Sequence, residues 1–409
     1  MSESAPPQKL KRSLTLLLAV LYGLGVTIGA GIYVLVGIAA GRSGMHAPLA
    51  FVLAALIMSF SAASFAELGT RMPVSASEAA YVEKAFNRPW LSLIMGLLVV
   101  LTATISAATI SVGSAGYLGV FVDMPTRWII TLVVLSMGLV ACLSTRQSVT
   151  LAGIMTLVEL GGLMVIIFAG FGAGSGVVIR LPEILPASGD IAIWVGVSGT
   201  TLIAVFAFIG FEHLVNVAEE MKNPSRTLPW ALFLTLGITA LIYALVVWVA
   251  VVAVPPDELA RSTAPLALVF ERLTGMPLKT MSVIAVIATL NGIIVHIIMI
   301  SRVLYGLAAQ GNLPKVLTHL NARTGTPLLA TAIGVAAILA LALAVPLAGL
   351  ADLTARFTLV VFAIINITLI RIKSLETAAP KHVFVCPGWV PVAGLFSSIG
   401  LLLLDLVVR

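Results

Sequence analysis

Val26-Thr27-Ile28-Gly29-Ala30-Gly31-Ile32 interrupts a long apolar run with two glycines in three positions. Glycine costs roughly 1 kcal/mol against alanine inside a helix, so a helix gains nothing from this triplet. Backbone groups freed at membrane depth are tolerated only where they line a cavity buried in protein. The stretch therefore predicts a helix broken within a bilayer, at a place where something other than lipid meets the main chain.

The surrounding composition supports the bilayer. Of 409 residues, 60% are hydrophobic and only 10% charged, where ordinary globular domains carry about 25% charge. The apolar runs are 18 residues or longer in most cases and do not alternate, which selects an all-α polytopic membrane protein over a β-barrel. The runs predict about eleven spans: 14–41, 47–70, 89–121, 127–144, 150–171, 192–219, 228–253, 280–310, 327–348, 350–372 and 388–408. The connection between 327–348 and 350–372 is short enough to predict a tight hairpin, and residues 74–88 predict a short interfacial helix.

Lys and Arg residues sort unevenly between the alternating loops. With the N-terminus inside, 15 of the 23 fall inside and 8 outside, which places residues 1–13 as a cytoplasmic tail and Arg409 outside. The location expected is the plasma (inner) membrane. Residues 1–12 precede a long span without a small-residue cleavage pattern, so a removed signal peptide is not expected. The net charge of +6 is dispersed among loops and follows topology, not nucleic-acid binding. Cys142 and Cys386 belong to no CxxC or Cys/His cluster, and there are only five histidines. No metal site, disulfide framework or cofactor is expected, and the two thiols read as small packing residues.

A second soft point, Ala207-Phe208-Ile209-Gly210-Phe211-Glu212, lies in the sixth span at a depth similar to the first. Five spans separate the two starts, so the two segments would run in opposite directions. Matched interruptions in two halves of a chain point to a transporter's binding site.

At this point the residues carry a family resemblance. Val205-Phe206-Ala207-Phe208-Ile209-Gly210-Phe211-Glu212 and Ala218-Glu219-Glu220-Met221-Lys222-Asn223-Pro224-Ser225-Arg226-Thr227-Leu228-Pro229 resemble the sixth helix and following loop of the amino acid–polyamine–organocation transporter superfamily. Ser301-Arg302-Val303-Leu304-Tyr305-Gly306-Leu307-Ala308-Ala309-Gln310-Gly311-Asn312-Leu313-Pro314 is similar to its eighth helix, with Arg323-Thr324-Gly325-Thr326-Pro327 after it. Ala66-Glu67-Leu68-Gly69 followed by Pro73 matches the end of its second helix. The resemblance implies a LeuT-type fold: a five-plus-five inverted repeat, residues 14–171 and 192–372, with first and sixth helices discontinuous and residues 388–408 added.

The function implied is secondary active transport of an amino acid by alternating access. Main-chain N–H groups at Gly29, Ala30 and Gly31 would meet the substrate carboxylate at a half-helix N-terminus, with Thr27 and Ile28 lining the cavity beside them. Carbonyls around Phe206, Ala207 and Ile209 would accept the ammonium, with Gly210 in the same substrate set. Phe206 and Phe208 are candidate covers or gates. The largely apolar set predicts a small or neutral substrate, with a cationic amino acid or polyamine exchanger, or a non-transporting sensor, as the alternatives.

Two acids lie at membrane depth, which marks each as a functional candidate. Glu212 matches a family position associated with substrate and proton handling. Glu159 departs from the lysine several members carry; it could bind a proton, ligate sodium (second to the proton as coupling ion) or pair with a neighbouring base. Asn291 fits the family pattern and joins the coupling set. His296 reads as a packing histidine, Ser111 as a possible cavity residue, and Asp352 with Arg356 as an external pair one turn apart. Arg302, Lys222 and Glu219-Glu220 read as gate or loop contacts. No GxxxxGK[ST] motif is present, so an ion gradient or exchange must supply the energy; one charge crossing 100 mV is worth about 2.3 kcal/mol, or roughly fifty-fold accumulation. Neither a channel filter nor an enzyme's nucleophile–base pair is found, and the oligomeric state is not legible.

Overall fold

The computed structural model describes residues 14–408 except 29, 74–76, 143–144, 173–175, 187–188, 322–323, 377–379 and 381. Within these the chain is helical. In order the helices are α1 (Leu16–Thr27), α2 (Ala30–Ser43), α3 (Ala47–Arg71), α4 (Ser77–Phe86), α5 (Pro89–Leu118), α6 (Thr126–Ala141), α7 (Thr145–Gly172) and α8 (Ile191–Phe208). They continue as α9 (Pro224–Ala253), α10 (Pro256–Arg261), α11 (Pro265–Thr274), α12 (Leu278–Ala309), α13 (Leu328–Ala344), α14 (Leu347–Leu375) and α15 (Trp389–Val408). Eight helical runs are long and apolar enough to cross a membrane, and α1, α6 and α13 are shorter apolar helices.

Local signals set several ends. Asp190 caps α8 by accepting the Ala192 N–H at 2.9 Å, and Gly275 closes α11 in the left-handed conformation glycine tolerates. Proline opens α5, α9, α10 and α11, where its missing N–H costs no hydrogen bond. Helix α4 falls within the interfacial segment expected at 74–88. The 254–279 connection, expected as loop, instead holds α10 and α11. The polar, proline-started turns mask the apolar side of α11, on which Leu266, Ala267 and Val269 are buried.

α5 packs along α12 and α3 along α9, while α14 lies against α15, α5 and α8. The expected hairpin between α13 and α14 has the tight connection, Val345 and Pro346, but its arms diverge. α13 goes to α5, α6 and α12, because Gly138 of α6 and Gly334 of α13 admit close approach from Val335 and Ile300. α1 packs on the 3₁₀ segment Phe211–Glu220, and α2 packs on α8. The two broken helices thus run antiparallel, side by side on both flanks of their breaks.

Candidate functional site

Both interruptions are real, and they touch. α1 ends at Thr27 with Ile28 as its cap, and α2 starts at Ala30. The break therefore falls at 28–29, slightly earlier than the glycine triplet suggests; Gly29 itself lies outside the described residues. α8 ends at Phe208, Ile209 turns to φ −58° and ψ 133°, and Gly210 adopts φ 125°. A Cβ on Gly210 would stand 2.7 Å from the Val26 carbonyl oxygen, and one on Gly31 would stand 2.9 Å from the Ala207 Cα. At both, main chain meets main chain with no room for a Cβ unless the backbone shifts. Glu212 locks the second break: its carboxylate accepts the Gly210 N–H at 2.8 Å, satisfying a donor orphaned at the start of the 3₁₀ segment.

Tyr243 of α9 ties the two breaks together. Its hydroxyl proton is shared between the Thr27 carbonyl at 2.9 Å and the Ala207 carbonyl at 3.0 Å, at the ends of α1 and α8. Tyr117 donates to the Tyr33 carbonyl at 2.6 Å, and Tyr33 donates to the Glu159 carbonyl at 2.7 Å. The sequence reading missed these tyrosines. The available signal was a hydroxyl inside an apolar run, since a buried Tyr O–H needs a partner.

Glu159 is fully buried, and one carboxylate oxygen accepts the Asn291 side-chain N–H at 3.1 Å. The other oxygen has no hydrogen-bond partner. Glu159 thus meets an amide where a neighbouring base was one expectation, and no ion pair to it forms among the described residues.

Between the breaks lies a small cavity of about 20 Å³, walled by Thr27, Gly31, Ser106, Phe206, Ala207 and His296. A second space of about 30 Å³ shares Ser106, Ile209 and His296 with it and is walled further on by Glu78, Glu212 and His213. The His296 Nδ1 lies 2.8 Å from the Gly292 carbonyl, which can only accept, so Nδ1 carries the hydrogen. The other ring nitrogen, 2.9 Å from Ser106, then accepts from that hydroxyl. His296, expected as a satisfied packing residue, has a partner at each ring nitrogen and stands in the wall between the two spaces. Ile28 is buried at the α1 end. Phe208 faces away from both cavities into an aromatic cluster, its ring centroid 5.3 Å from Tyr243 and 6.4 Å from Phe51. Ser111 bonds its own helix at the Ala107 carbonyl, 2.7 Å away.

The two ends of this assembly close differently. On the face carrying Arg42, its guanidinium holds Asp352 of α14 at 2.9 and 3.2 Å and the Gly199 carbonyl of α8 at 3.2 Å. The expected Asp352–Arg356 pair does not form; Arg356 reaches Asp405 of α15 at 2.8 Å, because α2 and α15 bring the nearer partners. On the face carrying Leu14, the Leu14 N–H donates to the Glu220 carbonyl at 3.0 Å and the Lys222 N–H donates back to the Leu14 carbonyl at 2.8 Å. Glu67, fully buried, takes Arg71 at 2.7 Å, Lys373 at 2.8 Å and the Cys386 N–H at 2.9 Å. Burial, with this carboxylate beside it, pushes the Cys386 thiol up to about 12. Cys142 and Cys386 are free thiols.

Comparison with known proteins agrees with this geometry. The model of a family described as amino acid permease matches residues 14–408. An uncharacterised transporter of Mycobacterium tuberculosis is 29% identical over 398 residues, covering 96% of this chain and 86% of that protein. The branched-chain amino acid permease BcaP of Bacillus subtilis is 26% identical over 412 residues, 95% and 86% covered. A mitochondrial cationic amino acid transporter of Arabidopsis thaliana is 29% identical over 394 residues, 90% and 63% covered. Two helices broken face to face within an apolar bundle, and a family match over nearly the whole chain, lead to one statement: this chain belongs to the amino acid permease family and is an integral membrane protein of amino acid transport, not an enzyme.

Proposed function

We propose that the chain is a proton-coupled secondary transporter that takes a small or neutral amino acid into the cavity between its two breaks and releases it by alternating access. The observation that carries this reading is the antiparallel pair of broken helices meeting at Gly31 and Gly210 around that cavity. A zwitterion entering an apolar protein must replace its hydration, at a cost of several kcal/mol per unpaired group. The first turn of α2, from Ala30, offers unsatisfied N–H groups and the positive end of a helix dipole to the carboxylate. The C-terminal carbonyls of α1 and α8 converge on the opposite side, where they suit an ammonium. Phe206, Ala207 and Ile209 leave mostly apolar space for the side chain, which favours a neutral one.

Glu159 is assigned the coupling proton. An ionised carboxylate fully buried beside one amide is costly, and a bound proton removes that cost without a cation. Glu159→Gln therefore abolishes the pH dependence of uptake in protein-loaded vesicles; unchanged pH dependence removes Glu159 from the proton path. Following the Lys/Arg bias, the Leu14 face is cytoplasmic and the membrane is the plasma (inner) membrane.

A specific observation supports a second reading, a cationic substrate. The second chamber presents Glu78 and Glu212 and no Lys or Arg among its described walls, and a long basic side chain could reach it past Ser106 and His296. The names of the Arabidopsis and human relatives, cationic amino acid transporters, point the same way. Thermal-shift measurement across amino acids and polyamines separates the readings, because a ligand stabilises by RT ln(1 + [L]/Kd). Saturable flux of the stabilising compound confirms transport; binding without flux would leave a sensor.

A further inference from the structure

Several buried helical threonines follow one rule. Thr104, Thr109, Thr358 and Thr368 each donate to the carbonyl four residues back, at 2.7–2.8 Å, the ordinary solution for a hydroxyl in an apolar helix. Thr235 and Thr239 of α9 break the rule: both are fully buried and neither hydroxyl has a hydrogen-bond partner. Thr27 at the end of α1 and one oxygen of Glu159 share that condition. Buried polar groups are satisfied in the large majority of cases, so four orphans in one neighbourhood call for a reason.

Their placement supplies one. Thr235, Thr239 and Tyr243 recur every four residues and share one face of α9. Tyr243 shows which face it is, since its hydroxyl meets the Thr27 carbonyl. The other end is fixed by Gly23, whose added Cβ would lie 2.5 Å from the Thr235 hydroxyl. The row thus follows the α1–α9 seam for about 12 Å, at 1.5 Å per residue. Across α1, Gly25 abuts the Thr156 hydroxyl of α7, one turn before Glu159. The seat of α1 therefore includes hydroxyls and glycines beside its buried Ala19, Val20 and Leu24.

We infer that the seam between α1 and α9, lined by Thr235, Thr239 and Tyr243, is the proton path between Glu159 and the Leu14 face, opened when α1 tilts away. This rests on Glu159 being the coupling carboxyl. The proton passes from its oxygen to water admitted along the seam. Each threonine oxygen accepts one hydrogen as it donates its own, so the hydroxyls end neutral and one H⁺ has moved. Glu159's titratable neighbours are Tyr33 from α2 and Tyr243 from α9; α12 presents Asn291. From α11, Glu271 and Arg272 lie towards the surface, with Arg272 on Glu258. Tyr22 of α1 faces Glu220 and Arg302.

The test has two arms. The Thr235→Val/Thr239→Val double variant loses no hydrogen bond and should fold. It should slow proton-driven uptake roughly tenfold, the cost of one lost relay contact, with KM unchanged and substrate counterflow, in which Glu159 keeps its proton, at the wild-type rate. In a chain with Cys142 and Cys386 replaced by alanine, Thr235→Cys and Thr239→Cys should react with a charged, membrane-impermeant methanethiosulfonate applied to the Leu14 face during turnover. Leu241→Cys, on the lipid side of α9, should not. Wild-type uptake by the double variant, or no labelling of either cysteine, overturns the path. If Glu159→Gln leaves pH dependence intact, the coupling assignment itself has failed; if it removes pH dependence while the threonine arms fail, only the route is wrong.

Discussion

The two breaks differ in how they are held. The second is built into the backbone: Gly210 at φ 125° makes the turn and Glu212 satisfies its N–H. Its approach, Leu202 to Phe208, is almost wholly buried against α2, α3 and α14. The first has no capping side chain at Ile28, and the half-helix it frees towards Leu14, α1, is twelve residues long. Beside its buried Ala19, Val20 and Leu24, α1 meets hydroxyls at Gly23 and Gly25, and two backbone hydrogen bonds hold Leu14 just before it. On the proposed alternating access, the contrast assigns different work to equivalent features: α8 and its turn would be the fixed edge of the site, and α1 the arm that moves.

The severest challenge to that contrast is a methyl group at each glycine. Gly210→Ala adds the roughly 1–2 kcal/mol penalty of a left-handed φ to a 2.7 Å clash with the Val26 carbonyl. Transport should fall more than about tenfold and the melting temperature should drop measurably. Gly31 lies in helix, so Gly31→Ala carries only the crowding against Ala207, which a movable α1–α2 pair can relieve. Vesicle uptake and thermal unfolding of both variants decide this; equal damage at Gly31 would mean the first break is as rigid as the second.

Glu212 separates cap from charge. Glu212→Gln keeps an oxygen for the Gly210 N–H, whereas Glu212→Ala orphans it and should cost about 1–2 kcal/mol, as lost N-caps do. If the carboxylate serves as a cap, the Gln variant transports within a fewfold of wild type and the Ala variant does not. Equal loss in both, with the fold intact by thermal unfolding, would show that the charge does work in the second chamber.

Much of this was legible from residues alone. The bundle follows from apolar length, and the breaks from glycines spaced five spans apart, because no other residue lets two main chains approach this closely. Candidates at Thr27, Gly31, Phe206, Ala207 and Ile209 do line the cavity. Phe208 does not: three residues past Val205 an aromatic can face either side of α8, and only the tertiary positions of Phe51 and Tyr243 decide which. Tyr243, Ser106 and the Arg42–Asp352 pair stayed hidden for the same reason. Each acts across elements far apart in the chain, and helical periodicity says nothing about which distant helix a polar tip will meet.

Tyr243→Phe probes the single bond common to both breaks. Losing a shared hydroxyl proton should cost about 1 kcal/mol, leaving the fold in place while freeing α1 from α8. Cysteine labelling along α1 from the Leu14 face should then rise without substrate. If the labelling is unchanged, Tyr243 positions nothing that moves.

The smallest expected effect lies at the opposite end. α2 is pinned where α1 is not, by Arg42 to Asp352 and to the α8 backbone. The pair is partly exposed, with Arg42 at 29%, so solvent screening limits its worth to about 1 kcal/mol or less. Arg42→Gln should therefore weaken apparent substrate affinity no more than about fivefold, and the loss should shrink in high salt, which screens exposed charges. Because Gln still offers an N–H to the Gly199 carbonyl, what disappears is the tie to α14 alone. A fivefold change would mean that α2 leans on α14 to keep the cavity shut on this face. No change would mean that its packing on α8 suffices, and the asymmetry between a fixed α2 and a loose α1 would then rest on packing without help from charge.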